Sequence, residues 1–463
     1  MKKLFGTDGM RGVAGRFPLD AKTVRTAGHS LARHLAAHAG RAPRIVLGRD
    51  TRESGAWIEA ALSEGARAAG AACESAGVIT TPGVAFLART LPADAGVVIS
   101  ASHNPYEDNG IKIFAPTGRK LDDATERLIE ADIYEAQGKR VVADERPPNI
   151  EAKPAPDSGK IEAASAALRQ QYLDYLADEV AGDLRLEELR MIVDCANGAA
   201  SQLAPALFTR LGADVRAYGV EPDGRNINRE CGSLYVERLC EKVVAAGAHL
   251  GVAFDGDADR ALFVDASGQV VDGDATMWVL AQSMAANGQL SGGQVVATVM
   301  SNIGLELALK SRGIKLLRTD VGDKYVLEEL LRTGASLGGE QSGHIILPRI
   351  SLAGDGMLTA LFVLRAIRET RKALHELTAG FVRFPQVLVN VRVAEKRPFQ
   401  EVAEIAEQSL RTEEALAGQG RLLLRYSGTE PLARVMIEGQ RQEEIEQIAG
   451  NLAEVIRRSL GTV

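Results

Sequence analysis

Cysteine is scarce in this chain: four residues among 463, at Cys73, Cys195, Cys231 and Cys240, with no pair at CxxC spacing. Such thiols read as reduced and structural, as in a cytosolic protein, rather than as a disulfide framework. A surplus of positive charge is missing too. The formal net charge is −7, so no broad basic field offers itself to nucleic acid, and an anionic ligand needs a local cluster of cations. No apolar run approaches the ~18 residues that span a bilayer. The opening "MKKLFGTDGMRG" has two lysines but no apolar stretch behind them, which does not read as a secretory signal. Heptads and low-complexity tracts are absent, and an α/β-hydrolase triad is not expected. The expectation is a soluble, cytoplasmic protein.

What is present is ordinary globular composition, 46% hydrophobic and 25% charged, over a length that suggests about three or four domains. Three sets of apolar runs alternate with helical patterns. The first begins at "PRIVLGRDTRESG" (43–55) and closes with "AGVVISASHNP". The second runs from "LRMIVDCANGAAS" (189–201) to "LGVAFDGDADR" (250–260), and the third from "GQVVATVMSNIGL" (293–305) to "SLGGEQSGH" (336–344). Alternating β and α patterns predict α/β domains with mixed, largely parallel sheets. Each set ends in a polar loop after an apolar strand, where ligands gather in such sheets. The stretch 141–160, rich in Pro, Asp and Lys, reads as a boundary. After about residue 378 the pattern becomes a strand, a helix, a hairpin over "GRLLLRYSGTEPLARVMIEG" and a final helix, a smaller α+β domain. The expected domains are 1–150, 160–255, 256–372 and 378–463, around a central cleft.

Six stretches carry chemistry. In "DGDADR", Asp255, Asp257 and Asp259 alternate in a tight turn between two strands. Carboxylates this close repel unless a cation lies among them, and an all-oxygen set suits Mg²⁺. An EF-hand is excluded, because Arg260 stands where that loop needs Gly and Ala266 where it needs Glu. In "ISASHNP", Ser102 and His103 follow a buried strand. Asp108-Asn109-Gly110 then reads as a turn, with Lys112 on the next strand facing Ser102 across a short hairpin. "RYSGTEP" joins Arg425, Ser427, Gly428 and Thr429, donors and a forked cation such as a phosphate takes. "GRDTR" and "GTDGMRG" add Arg49, Arg52 and Arg11 in further Gly/Asp turns, and "GGEQSGH" offers Glu340, Ser342 and His344, suited to sugar hydroxyls. His29, His34 and His38 share one helix pattern but lack a metal-ligand arrangement.

Taken in order, "ASHNP", "DGDADR", "GEQSGH" and "RYSGTEP" resemble the α-D-phosphohexomutase family over essentially the whole chain. The resemblance implies three α/β domains of similar topology and a smaller fourth. It also implies that Ser102 carries a phosphoryl group, passes it to the free hydroxyl of a bound sugar phosphate, and takes back the other phosphate of the resulting 1,6-bisphosphate. Mg²⁺ on Asp255, Asp257, Asp259 and a phosphoserine oxygen is implied, with a catalytic hexose 1,6-bisphosphate as primer. Lys112 and Arg11 are expected beside the phosphoserine, and His103 within hydrogen-bonding reach. Arg260 and His344 are expected in proton transfer or electrostatic support, and Glu340 and Ser342 on the C3 and C4 hydroxyls. Arg425, Ser427, Gly428, Thr429 and Arg434 would grip the non-reacting phosphate. The N-terminal "FGTDGMRG", "SASHNP" and Gln341 resemble most the members that interconvert glucosamine 6-phosphate and glucosamine 1-phosphate. Neither nucleic acid nor membrane is an expected partner, and a homodimer is admitted.

Two departures from the family pattern stand out. Ala258 replaces the usual glycine of "DGDGDR", which is tolerable where the backbone φ is negative. Ala353 stands where Thr or Ser is frequent, so a hydroxyl contact is lost. The alternatives are a phosphomannomutase/phosphoglucomutase of the same chemistry, and a silent sugar-phosphate-binding protein.

Overall fold

A computed structural model of the chain describes residues 3–6, 8–138, 158–416, 418–427 and 430–461. The boundary expected over 141–160 lies almost wholly outside them. The chain divides into two compact units, residues 1–296 with 322–378, and 297–321 with 379–463.

In the first unit a six-stranded sheet has the order Phe5–Gly6, Gly9–Val13, Asp108–Phe114, Ala95–Ile99, Arg44–Arg49, Ala72–Val78. Arg44–Arg49 runs parallel to Ala72–Val78 and to Ala95–Ile99, and the remaining pairs are antiparallel. Every residue of Ala95–Ile99 is buried, because helices cover both faces and an unbroken apolar run is what such a position demands. Asp108-Asn109-Gly110 is not a turn. These residues open the strand that pairs with Gly9–Val13 and Ala95–Ile99. The Gly110 carbonyl accepts from the Ser100 amide, so the ladder claims residues whose side chains suit a bend.

A second, five-stranded sheet has the order Val270–Val271, Ala261–Asp265, Leu250–Phe254, Arg190–Asp194, Asp214–Tyr218. Its antiparallel pair Leu250–Phe254 and Ala261–Asp265 closes around "DGDADR" with Phe254 opposite Ala261. The tight turn between strands is therefore as expected. Farther on, Gly338–Gly339 and Ile345–Ile346 pair antiparallel and pinch off the loop carrying Glu340 and Ser342. The buried helices Gly273–Ala286 and Gly356–Thr370 start on Asp272 and Asp355, each accepting from a first-turn amide.

In the second unit Gln386–Arg392, Leu432–Glu438 and Arg421–Tyr426 form an antiparallel sheet, with Leu432–Glu438 in the middle. Helices Ala403–Leu416 and Gln442–Leu460 supply Ile405, Ile445, Leu452 and Ile456 to its core. This is the α+β pattern the sequence suggests. The segment 297–321 belongs to the same unit because of Glu438, which is fully buried. Its carboxylate accepts from Ile303 N at 3.1 Å, Asn302 Nδ2 at 3.3 Å and Arg421 Nε at 2.9 Å. Mixed α/β sheets with a smaller antiparallel domain are thus the fold class. Among the described residues no helix is long and apolar enough to cross a membrane.

Candidate active site

Asp255, Asp257 and Asp259 follow the buried strand Leu250–Phe254, and one oxygen from each lies within 4.8 Å of the others. All three side chains are buried. Asp257 Oδ2 accepts from Thr81 Oγ1 at 2.6 Å and Lys112 Nζ at 2.8 Å, yet Asp257 Oδ1 and Asp259 Oδ1 have no hydrogen-bond partner among the described residues. Buried carboxylate oxygens without partners are costly, and a cation among them removes the cost. Burial, then the repulsion of Asp259 and Asp257, pushes the Asp255 carboxyl well above the carboxylate range. A compact, all-oxygen, charge-deficient set of this kind fits Mg²⁺.

The conformation of the turn differs from expectation at one residue. Ala258 has φ +55°, so the methyl replaces a glycine where glycine is favoured. The left-handed residue is held by Ala258 N to Asp255 O at 3.1 Å and Gly356 N to Ala258 O at 3.0 Å, which fold the loop back so that alternate carboxylates converge.

Ser102 follows the strand Ala95–Ile99 and is itself left-handed, at φ +53°. Its hydroxyl donates to Asp255 Oδ2 at 2.6 Å and lies 3.2 Å from His103 Nδ1. Burial, reinforced by Arg260 and Arg11, lowers the His103 pKa to about 4, so that ring is neutral at neutral pH.

Lys112, opposite Val98 in the sheet, does not hydrogen-bond to Ser102 among the described residues. Its ammonium is taken by Asp257 at 2.8 Å, Asp8 at 3.1 Å and Asp259 at 3.4 Å. Burial opposes its charge, but those carboxylates overcome it and hold the lysine protonated. Arg11 is ion-paired to Asp8 and donates to Ala101 O at 3.4 Å. Arg260 donates its amide to Asp255 Oδ1 at 3.2 Å, with its Nε 3.8 Å from Asp259. His344 Nδ1 is 3.6 Å from Asp259 and Nε2 is 3.8 Å from Asp323. Burial disfavours its charge, but Asp259 and Asp323 raise its pKa to about 9. Gly354 covers that ring, and a Cβ there would lie 2.4 Å from Nε2.

Glu340 accepts from Gly322 N at 3.1 Å and from Ser342 Oγ at 3.4 Å. Gln341 Nε2 donates to Asp272 Oδ2 at 3.5 Å. A cavity of about 460 Å³ opens against Asp8, Lys112, Asp259 and His344. The Ala353 carbonyl accepts from Ser351 Oγ at 2.7 Å.

In the second unit Arg425 and Arg434 face each other across the antiparallel pair. Partial burial and the Arg434 charge lower the Arg425 pKa, against the pull of Asp320, and Arg434 lies 3.6 Å from Glu430. Ser427 accepts at its hydroxyl from Glu430 N at 3.3 Å, and its carbonyl takes Lys396 Nζ at 2.6 Å. Gly428 and Thr429 lie outside the described residues.

Sequence reasoning missed Asp8 and Thr81. Asp8 lies inside "GTDGMRG", where only Arg11 was conspicuous. Thr81 carries no motif signal; it is placed because Thr80 caps the helix Thr81–Thr90 and aims its first turn at Asp257. Of the other two arginines, Arg49 pairs with Glu59 at 3.0 Å, and Arg52 is buried on Asp50.

The chain matches the families described as Phosphoglucomutase/phosphomannomutase alpha/beta/alpha domain I over residues 2–140, domain II over 170–268 and domain III over 272–384. The corresponding C-terminal domain matches over 388–455. A phosphoglucosamine mutase of Solibacter usitatus is 51% identical over 460 residues, covering 99% of each chain. One from Syntrophotalea carbinolica is 47% identical, covering 99% of this chain and 98% of its own. A crystal structure of a phosphoglucomutase/phosphomannomutase family protein from Burkholderia thailandensis superposes with a TM-score of 0.77 at 23% identity, covering 99% of this chain and 97% of that one. Aspergillus fumigatus N-acetylphosphoglucosamine mutase, in complex with GlcNAc-6P and magnesium, gives 0.62 at 19% identity, covering 99% and 96%.

Proposed function

The chain belongs to the phosphoglucomutase/phosphomannomutase family and, within it, to the phosphoglucosamine mutases, and we propose that its Ser102 carries the phosphoryl group through which glucosamine 6-phosphate and glucosamine 1-phosphate interconvert. The observation that carries this reading is the Ser102 hydroxyl, 2.6 Å from Asp255 in a buried cluster of three aspartates. Mg²⁺ held by Asp255, Asp257, Asp259 and an oxygen of the phosphorylated serine would neutralise charge on the transferring group.

The chain's own residues do the rest by position and charge, as phosphoryl transfer requires. A hexose 1,6-bisphosphate charges the enzyme: the Ser102 oxygen bonds to phosphorus, the sugar O–P bond breaks, and the serine proton passes to the sugar oxygen. In turnover the free hydroxyl of the sugar phosphate takes the phosphoryl group from Ser102, giving the bisphosphate. After the sugar turns over, its other phosphate returns to Ser102. Lys112, fixed in its protonated form by three carboxylates, and Arg11 stand ready for the negative charge. His344 and Arg260 serve proton transfer or electrostatic support, and neutral His103 orients the serine oxygen.

Glu340 and Ser342, already bonded to one another, hold the C3 and C4 hydroxyls in either orientation of the ring. Arg425, Ser427, Gly428, Thr429 and Arg434 take the phosphate that is not reacting. Keeping water from the phosphoserine has a purpose here, since its hydrolysis would waste each phosphoryl group. The activity is cytoplasmic in this reading.

The test compares kcat/KM for glucosamine 6-phosphate, glucose 1-phosphate and mannose 1-phosphate, with Mg²⁺ and a hexose bisphosphate. Preference for the glucosamine phosphate is expected. Preference for glucose or mannose phosphate would keep the mechanism and overturn the substrate. Turnover of none would return the silent binding protein.

A further inference from the structure

Arg52 was singled out in the sequence as a cation in a Gly/Asp turn, and the proposed chemistry does not use it. Its side chain and that of Asp50 are completely buried. The guanidinium donates through Nε to Asp50 Oδ2 at 2.9 Å, through Nη1 to Pro105 O, and through Nη2 to Ser102 O and Asn104 O, both at 2.9 Å. Four donor positions are thereby taken on the protein's own backbone and carboxylate, so the residue faces no ligand.

The pattern closes on itself. Ser100 Oγ donates to Asp50 Oδ2 at 2.7 Å and accepts from Ser102 N at 2.9 Å, while the Ser102 carbonyl accepts from Arg52. Asp50, Ser100, Ser102 and Arg52 form one buried ring that grips Ser102 by its amide and its carbonyl and leaves the hydroxyl outside. Asn228 Nδ2 adds a second hold on the same two carbonyls, at 2.9 Å to Ser102 O and 3.2 Å to Asn104 O. A left-handed serine is strained and persists only where its surroundings over-determine it. This ring is what over-determines it. A lysine has one point charge and cannot reach the Asp50 carboxylate and three carbonyls in one plane.

We propose that Arg52 is the positioning residue of the phosphoryl-carrying loop, setting the direction of the Ser102 hydroxyl by holding the backbone on either side of it. The inference rests on Ser102 as the phosphoryl carrier.

The experiment follows uptake of a phosphoryl group by dephosphorylated enzyme from glucose 1,6-bisphosphate, by intact mass, with KM and Mg²⁺ affinity measured alongside. Arg52→Lys is expected to slow uptake and kcat by about 10²-fold, the scale of an ångström-sized misplacement, while KM and Mg²⁺ affinity change by less than about threefold. Asn228→Gly keeps the left-handed φ of +58° and removes the amide that makes both of these bonds. It is expected to slow both by about tenfold, and decides by the same criteria where Arg52→Lys does not fold. Unaltered uptake in the folded variants overturns the role, as does a parallel decline of rate, KM and Mg²⁺ affinity. Wild-type enzyme that takes up no phosphoryl group on Ser102 overturns the carrier reading itself, a result separable from either variant's.

Discussion

Ser102 and Asp255, separated by 153 residues in sequence, share a hydrogen bond of 2.6 Å between hydroxyl and carboxylate. Each follows the end of a fully buried strand, in different sheets. A nucleophilic oxygen and a cation-seeking carboxylate are thus brought to one point by two backbones that have no freedom to drift.

Ser102→Ala removes the oxygen that accepts the phosphoryl group and leaves the loop's backbone bonds in place. Isomerisation should fall by at least about 10³-fold, because no neighbouring group substitutes for a covalent carrier. Intact mass should show no phosphoryl uptake. Appreciable turnover by the variant would remove Ser102 from the mechanism.

Asp257→Asn should raise the Mg²⁺ concentration for half-maximal activity and lower kcat together. Thr81→Val retains the shape of the residue but withdraws the hydroxyl that orients Asp257 at 2.6 Å. Loss of such a support costs about 10–100-fold in metal affinity or rate. Calorimetric titration with Mg²⁺ separates the two variants from a general loss of fold, and an unchanged Mg²⁺ response would remove Asp257 from the site.

Gly354→Ala puts a methyl 2.4–2.6 Å from three ring atoms of His344. The imidazole must move away from Asp259, and kcat should drop by about tenfold or more with little change in melting temperature. Full activity would show that His344 has no positional role.

Stability should carry a pH signature from Asp355, which caps the helix Gly356–Thr370. Burial raises its carboxyl from the usual 3.8 to about 6, against the pull of the Leu358 amide and the Tyr172 hydroxyl. Between those values the folded protein keeps a proton that the unfolded chain has released. The group's contribution is therefore fully favourable below the unfolded value and is lost as pH rises through 6. Asp355→Asn does not titrate, so its stability relative to the parent should improve by about 3 kcal/mol between pH 3.5 and 7. Denaturant unfolding at several pH values reads this directly, and a constant difference would refute the shift.

What the sequence by itself determined is the local chemistry. The alternation of Asp255, Asp257 and Asp259 between two apolar runs already specified a turn in which carboxylates converge. "SASHNP" after the run "AGVVI" likewise placed a serine at a strand end. The mixed sheets and the antiparallel C-terminal domain follow from the same periodicities. Spacing of a few residues is enough for these, because turn and strand geometry are fixed by the backbone.

Tertiary structure alone decided the partners. Nothing in "GRDTR" says that Arg52 reaches back to the carbonyls of residues 50 or more positions later, or that Asp8 and Asp257 claim the ammonium of Lys112. Nor did Ala258 announce a positive φ, which the contacts with Asp255 and Gly356 impose. A charge or amide that is buried must be paired, and the partner is whichever group the packing of distant strands delivers within about 3 Å. That choice depends on the whole fold, so no short stretch of sequence contains it.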